Sequence, residues 1–253
     1  MKKITAVYFS PCGTTKTAVC SVAGGLGEMA KEADLTPLSA AGTEISLGTD
    51  DVLVCGVPSF GGRVPLTALE RIKNLHGNGT AAVAVVTYGN RAFDDTFAEL
   101  QDALEAQGFV VVAGVAAVTQ HSIVNQFGAG RPNAEDQTQL QAFGKEIAEK
   151  LTGAPKRAEL PGNRPYLERH GGGLVPIVSD ACKGCGRCVT HCPVGAIPKD
   201  NPKTTDKDLC VSCMGCISVC TQKARSLPEA AIGMLTEKLS KVCADRKENQ
   251  LFF

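Results

Sequence analysis

Cys182-Lys183-Gly184-Cys185-Gly186-Arg187-Cys188-Val189-Thr190-His191-Cys192-Pro193 places four cysteines in the spacing C-x2-C-x2-C-x3-C. Cys210, Cys213, Cys216 and Cys220 repeat it 28 residues later, with Thr221 where the first copy has its proline. Three thiolates two residues apart wrap one face of an iron–sulfur cube. A loop this short cannot also close its own fourth cysteine around the cube, so the fourth ligand crosses over from the other repeat. The spacing therefore assigns Cys182, Cys185, Cys188 and Cys220 to one 4Fe–4S cluster, and Cys210, Cys213, Cys216 and Cys192 to a second. Gly184, Gly186 and Gly215 let the backbone approach and turn N–H groups toward the sulfurs. Structural zinc is the competing reading. It usually pairs two C-x2-C hooks across a longer gap, and a third cysteine two residues on suits tetrahedral geometry poorly.

Working outward, eight of the twelve cysteines lie between Cys182 and Cys220. In a reducing compartment such clustering points to metal rather than disulfides. Residues 177–228 resemble a two-cluster bacterial ferredoxin, a small α+β unit, with all eight ligand positions filled and only the second proline missing. The segment carries a net side-chain charge of +3. Two oxidised clusters with their thiolates would bring it to about −1, so counting side chains alone gives the wrong sign. His191, beside the fourth cysteine of the first repeat, reads as a surface residue.

Upstream, residues 1–152 alternate apolar β-rich runs with helical patterns. The runs are Ile4–Phe9, Val52–Val57, Ala81–Thr87 and Phe109–Val118, with a weaker candidate at Leu35–Ser39. Helical periodicity covers Thr14–Lys31, Leu66–Leu75, Ala92–Gln107 and Ala134–Leu151. Near-continuous apolar strands separated by helices predict an α/β, doubly wound parallel sheet covered on both faces. Residues 153–176 hold four prolines and five glycines without apolar period and read as a linker. Residues 229–253 read as a C-terminal helix, to about Lys247, and a tail; Leu235, Leu239 and Val242 share the apolar side of that helix.

The first strand runs into Phe9-Ser10-Pro11-Cys12-Gly13-Thr14-Thr15-Lys16-Thr17. Hydroxyls, a glycine and a helix N-terminus together make a phosphate cradle, from Ser10, Cys12, Gly13, Thr14 and Thr15. Plain helix capping is the competing reading for the same residues. In an open α/β sheet, ligands bind beyond the C-terminal strand ends where the strand order reverses. The loops expected there contain Ser59-Phe60-Gly61-Gly62 and Tyr88-Gly89-Asn90, each with an aromatic beside glycines, suited to a planar ring. A phosphate and a flat heterocycle together describe flavin mononucleotide (FMN).

On these loops, residues 1–152 resemble a flavodoxin, which implies a five-stranded parallel sheet in the order 2-1-3-4-5. The chain contains no tryptophan, so any stacking on the ring differs from that of flavodoxins that use one. The order of parts, with Ala129-Gly130-Arg131-Pro132-Asn133 before the last helix of this half, is similar to flavodoxin–ferredoxin fusion proteins of anaerobes. There Asn133 reads as a helix cap, with Arg131 facing phosphate as the alternative.

The resemblance implies an electron-transfer protein passing low-potential electrons between two 4Fe–4S clusters and an FMN, and on to a redox protein. Two other classes remain open: an FMN-dependent reductase of a quinone or nitro compound fed by the clusters, and an iron–sulfur redox sensor with an empty flavodoxin-like scaffold. Tyr88, His121 and Cys12 are the few proton donors a reductase would find. A net charge of zero and a pI near 6.9 give no reason to expect nucleic acid. The longest apolar run, Phe109–Val118, is half the roughly 20 residues a membrane helix needs. With no signal-peptide pattern at the N-terminus, a cytoplasmic protein is expected. Oligomeric state is not specified. Cys20 and Cys55 read as small core residues and His76 as a turn residue.

Overall fold

In the computed structural model, which describes residues 2–253, the first apolar run forms β1 (Lys3–Tyr8), followed by α1 (Thr14–Leu26) and β2 (Met29–Asp34). Then come β3 (Ile45–Ser46), β4 (Asp51–Pro58), α2 (Leu66–Ile72), β5 (Leu75–His76), β6 (Thr80–Tyr88), α3 (Thr96–Glu105), β7 (Phe109–Val118) and α4 (Ala134–Lys150). The cysteine-rich part adds β8 (Ile177–Val178), α5 (Arg187–His191), α6 (Gly215–Ser218) and β9 (Arg225–Ser226). The chain continues with α7 (Glu229–Cys243) and β10 (Gln250–Phe252).

The main sheet has the order β10-β7-β6-β4-β1-β2. Its first five strands in sequence are mutually parallel and stand in the order second, first, third, fourth, fifth. That is the flavodoxin-like arrangement, whose strand order reverses beside β1. β4 and β6 read as unbroken apolar runs because both faces are covered. One face packs under α1 and α4 through Val19, Val22, Leu140 and Ile147. The other packs under α2 and α3 through Ile72, Phe97, Leu100 and Leu104. The two helices of the first face meet backbone to backbone: a Cβ on Gly25 would stand 2.0 Å from the Gln141 carbonyl oxygen, and one on Gly144 2.2 Å from that of Val22.

Four sequence expectations are corrected. The second strand is Met29–Asp34, not Leu35–Ser39, and α1 ends at Leu26 rather than Lys31, at Gly27. β2 is an exposed edge strand with polar residues on both faces, so it carries no apolar signal, whereas Leu35 is buried in the loop that follows. The sheet has six strands, because β10 joins β7 antiparallel through Leu251↔Val115. The last helix stops at Cys243 and packs Leu239 and Cys243 on Val124 and Phe127, leaving Val242 half exposed.

Residues 153–176 form no helix, and no strand, yet they are fastened along α3. Ala158 and Leu160 are buried, and the Ala158 amide donates to the Val111 carbonyl at 2.8 Å. The Asp95 carboxylate accepts from the Asn163 amide at 2.7 Å and the Leu167 amide at 2.6 Å. Asp102 pairs with Arg164 at 2.7 Å and accepts from the Tyr166 hydroxyl. This strap leads into the cysteine-rich part, where β8 and β9 pair antiparallel.

Candidate functional site

The C-terminal ends of β1, β4, β6 and β7 open into one cavity of about 390 Å³, within the size range of small-ligand sites. Cys12, Thr14, Thr15, Ser59, Phe60, Gly61, Tyr88 and Gly89 line it. The amides of Thr14 and Thr15 open α1, where a helix has no acceptor of its own for its first N–H groups, and no acidic residue lies in that turn. This end is built for an anion. The Thr15 hydroxyl is 2.8 Å from that of Thr87, on the neighbouring strand end.

Four of the expected residues do not line the cavity. Ser10 accepts from the Lys16 amide at 2.9 Å, so its hydroxyl is spent as a cap. Gly13 supplies the left-handed turn before α1, with φ 85°. Gly62 lies against Asp94, 2.3 Å from where its Cβ would be. Asn90 turns to the C-terminal segment and donates to the Cys243 and Asp245 carbonyls at 2.9 Å each. Tyr88 is the end of a strand, almost wholly buried and edge-on to Phe93 at 5.4 Å, so its ring is part of the core more than a free stacking face. Asn133 caps α4 in a reciprocal capping box with Asp136, and Arg131 is buried on Asp136 rather than facing the cavity.

The remaining wall comes from segments outside the expected loops, of which the sequence singles out only His121. Thr119, Gln120, His121, Ser122 and Ile123 follow β7; the strand-end rule alone would have found them. His121 Nδ1 accepts from the Ile123 and Val124 amides at 3.2 and 3.1 Å, so the ring is neutral with its proton on Nε2. Burial, with help from Arg91, lowers its pKa. Arg169, His170, Gly171 and Gly172 of the strap close another side. A Cβ on Gly61 would stand 2.0 Å from the His170 carbonyl oxygen, so this loop needs glycine for the strap to pass. Glu99 anchors both: it takes Arg63 at 2.6 Å, the Val64 amide at 2.8 Å, and Arg169.

The third wall is Leu174, Val211, Ser212 and Cys213, from the strap's end and the cysteine-rich part. The two parts are also tied directly. Pro11, in the first loop, accepts at its carbonyl from Ser218 at 3.1 Å and lies 2.7 Å from His191 Nε2, so His191 is a docking contact rather than a free surface residue. Buried Arg71 donates to the Pro193 carbonyl at 2.6 Å, beside Cys192. The Cys12 thiol lies 3.5 Å from the Cys213 carbonyl.

Cys192, Cys210, Cys213 and Cys216 surround a second, smaller cavity walled by Pro176, Val194, Ala196, Ile197 and Met214. They are the four cysteines that the crossed pairing groups together. Among the described residues no three such side chains converge on a single-ion position; the thiols instead stand around a shared space. Burial pushes the Cys213 thiol up to about 12 and that of Cys216 up to about 11. Such thiols would lose their protons to solvent on binding a cationic core, whose charge compensates the thiolates. Backbone donors already point at sulfur: the Ala196 amide reaches Cys192 Sγ and the Ala224 amide Cys220 Sγ, both at 3.3 Å. A soft thiolate set with N–H···S contacts in an apolar pocket fits an iron–sulfur cluster. Cys182, Cys185, Cys188 and Cys220 lie nearer the surface, with Cys185 exposed.

Comparison with known proteins finds the following similarities. The 4Fe-4S binding domain family matches residues 175–197. A 97-residue stretch is 30% identical to the formate dehydrogenase iron-sulfur subunit of Haemophilus influenzae, covering 38% of this chain; the chain spans only 30% of that relative. Among solved structures, a flavodoxin from the domain Archaea is 16% identical over 60% of this chain and 100% of its own, with a TM-score of 0.41. Flavodoxin 1 from Bacillus cereus is 19% identical over 60% and 100%, with a TM-score of 0.40. The strand order gives the N-terminal part a flavodoxin-like fold, and the 4Fe-4S family match falls in the cysteine-rich part. No helix among the described residues is long and apolar enough to cross a membrane.

Proposed function

We propose that this chain transfers electrons between two 4Fe–4S clusters and an FMN within one molecule, and exchanges them with a separate redox protein. One cluster is held by Cys182, Cys185, Cys188 and Cys220, the other by Cys192, Cys210, Cys213 and Cys216. The observation that carries this reading is that Cys213 belongs to both cavities, so a ligand of the second cluster forms part of the flavin wall. Clusters supply single electrons at potentials set by their surroundings, and flavin accepts one or two.

The chain's own residues supply position and environment. The Thr14 and Thr15 amides and hydroxyls receive the phosphate. Ser59, Phe60, Gly61 and Gly89 meet the ring, with the strap residues Arg169–Gly172 restricting water on the open side. His191 and Ser218 hold the cluster part against Pro11, which fixes the gap the electron crosses. The segments 1–152, 153–176, 177–228 and 229–253 act as flavin part, strap, cluster part and closing segment.

Reduction of a small quinone or nitro acceptor is the lesser reading. Burial keeps His121 neutral and raises the Tyr88 pKa, so neither is a strong proton donor. An anaerobic absorption spectrum with iron, sulfide and flavin quantified on one sample tests the proposal. About eight iron, eight sulfide and one FMN per chain are expected. Eight iron with no flavin retained, even after added FMN, would overturn the flavin half of it.

A further inference from the structure

The cysteine repeat continues past its ligands. Cys192-Pro193-Val194-Gly195-Ala196-Ile197 corresponds to Cys220-Thr221-Gln222-Lys223-Ala224-Arg225 at the same 28-residue offset. The matched amides of Ala196 and Ala224 reach the matched sulfurs of Cys192 and Cys220 at the same 3.3 Å, so the two frames superpose in their hydrogen bonding. Five residues after the fourth cysteine the symmetry breaks. One frame holds Ile197 and the other Arg225, each only 3% exposed.

A buried apolar residue there is ordinary packing, but a buried arginine is costly unless its charge has a counterpart. Arg225 finds only neutral acceptors: the Thr205 hydroxyl at 2.8 Å and the Pro202 and Thr204 carbonyls at 2.6 and 3.2 Å. No acidic side chain within ion-pair distance accompanies it among the described residues. Its Nε is the one buried side-chain nitrogen or oxygen among them without a hydrogen-bond partner. Thr205, which Arg225 grips, lines the cavity of Cys192, Cys210, Cys213 and Cys216.

We infer that Arg225 is the fixed counter-charge of the second cluster and raises its reduction potential to or above that of the first. This rests on the two-cluster reading above. A 4Fe–4S core with four thiolates goes from a net charge of −2 to −3 when it takes one electron. Burial by itself opposes that gain for the enclosed cluster, and the exposed first cluster is helped by water. A buried cation offsets the difference. One electron leaves the first cluster, which is oxidised by one, and settles on the second, which is reduced by one, beside the flavin wall.

The test is an anaerobic potentiometric titration followed by electron paramagnetic resonance, with a soluble dysprosium complex to broaden the signal of the exposed cluster. In the native chain the shielded cluster fills first or together with the exposed one; if it fills only after the exposed cluster, the inference fails. Arg225→Gln, which keeps a hydrogen-bond donor and removes the charge, disfavours reduction of the shielded cluster at least tenfold, about 59 mV for one electron. Arg225→Lys keeps that cluster close to its native value. Unchanged potentials in Arg225→Gln, or an equal drop in Arg225→Lys, overturn the inference. If Arg225→Gln does not load, the native titration decides alone. An iron count well below eight in the native protein would instead strike at the two-cluster reading itself.

Discussion

Cys185 stands in solvent, whereas Cys213, at the same place in the second repeat, is 9% exposed and forms part of the cavity wall at the sheet. Pro193, after the first repeat, is buried and held by Arg71; Thr221, after the second, is exposed. One spacing has thus been placed in two environments, one facing outward and one folded against a second domain. The lesson is that ligand spacing determines what is bound, and docking determines what each bound group faces. A sequence repeat reveals the first and is silent on the second.

The comparison breaks most completely if one ligand is removed. Cys213→Ser is expected to reduce iron from about eight to about four per chain and slow cluster-to-flavin transfer at least a hundredfold, read by stopped-flow absorbance after anaerobic mixing with dithionite. Cys185→Ser should leave the flavin still reducible through the second cluster, so equal damage from both would refute the assigned order. Next in size is Arg71, whose guanidinium serves the Leu35, Thr36 and Pro193 carbonyls. Arg71→Met leaves these buried acceptors unpaired and should cost about 2–4 kcal/mol in denaturant unfolding. An unchanged midpoint would mean the two parts dock without it.

A smaller effect is expected from the strap. Asp95→Ala removes the acceptor of the Asn163 and Leu167 amides and should cost about 1–3 kcal/mol. Earlier proteolytic nicking within residues 160–172 reads it, and native-like resistance would show that Glu99 and Asp102 suffice. Smallest is the pH response of His121. Burial lowers its pKa, so the unfolded chain takes up a proton before the folded one does. Its stability contribution is present above the unfolded value of about 6.5 and is lost as pH falls through the lower folded value. His121→Asn should flatten the dependence of thermal stability on pH below about 6.5; the same slope in both proteins would assign it elsewhere.

Much of this molecule is legible in its sequence. β4, β6 and β7 announce themselves as continuous apolar runs because they are covered on both faces, and the cysteine spacing names its chemistry outright. β2 and β10 do not, for a physical reason: both are edge strands, pairing through backbone on one side only, so side-chain pattern hardly constrains them. The loop at Cys12, Thr14 and Thr15 was legible from its composition and position. Asn90 was not, because its partners lie more than 150 residues away, and a local motif cannot tell a cavity residue from one that anchors a distant segment. The strap reads as a linker because prolines and glycines look alike in a free chain and in one pinned by Asp95, Glu99 and Asp102.

β10 reaches the sheet from beyond the cysteine-rich part, which makes that part an insertion between the fifth and sixth strands rather than an appendage. All eight cysteines of the two repeats precede, in the chain, the strand that covers the β7 edge. The edge of the flavodoxin-like sheet is therefore completed by residues that lie beyond the cysteine-rich part. Cutting the chain after the strap would yield an unfinished sheet with Val115 and Ala116 at a bare edge, not a shorter flavodoxin. The two parts are bound together by chain order as well as by their contacts.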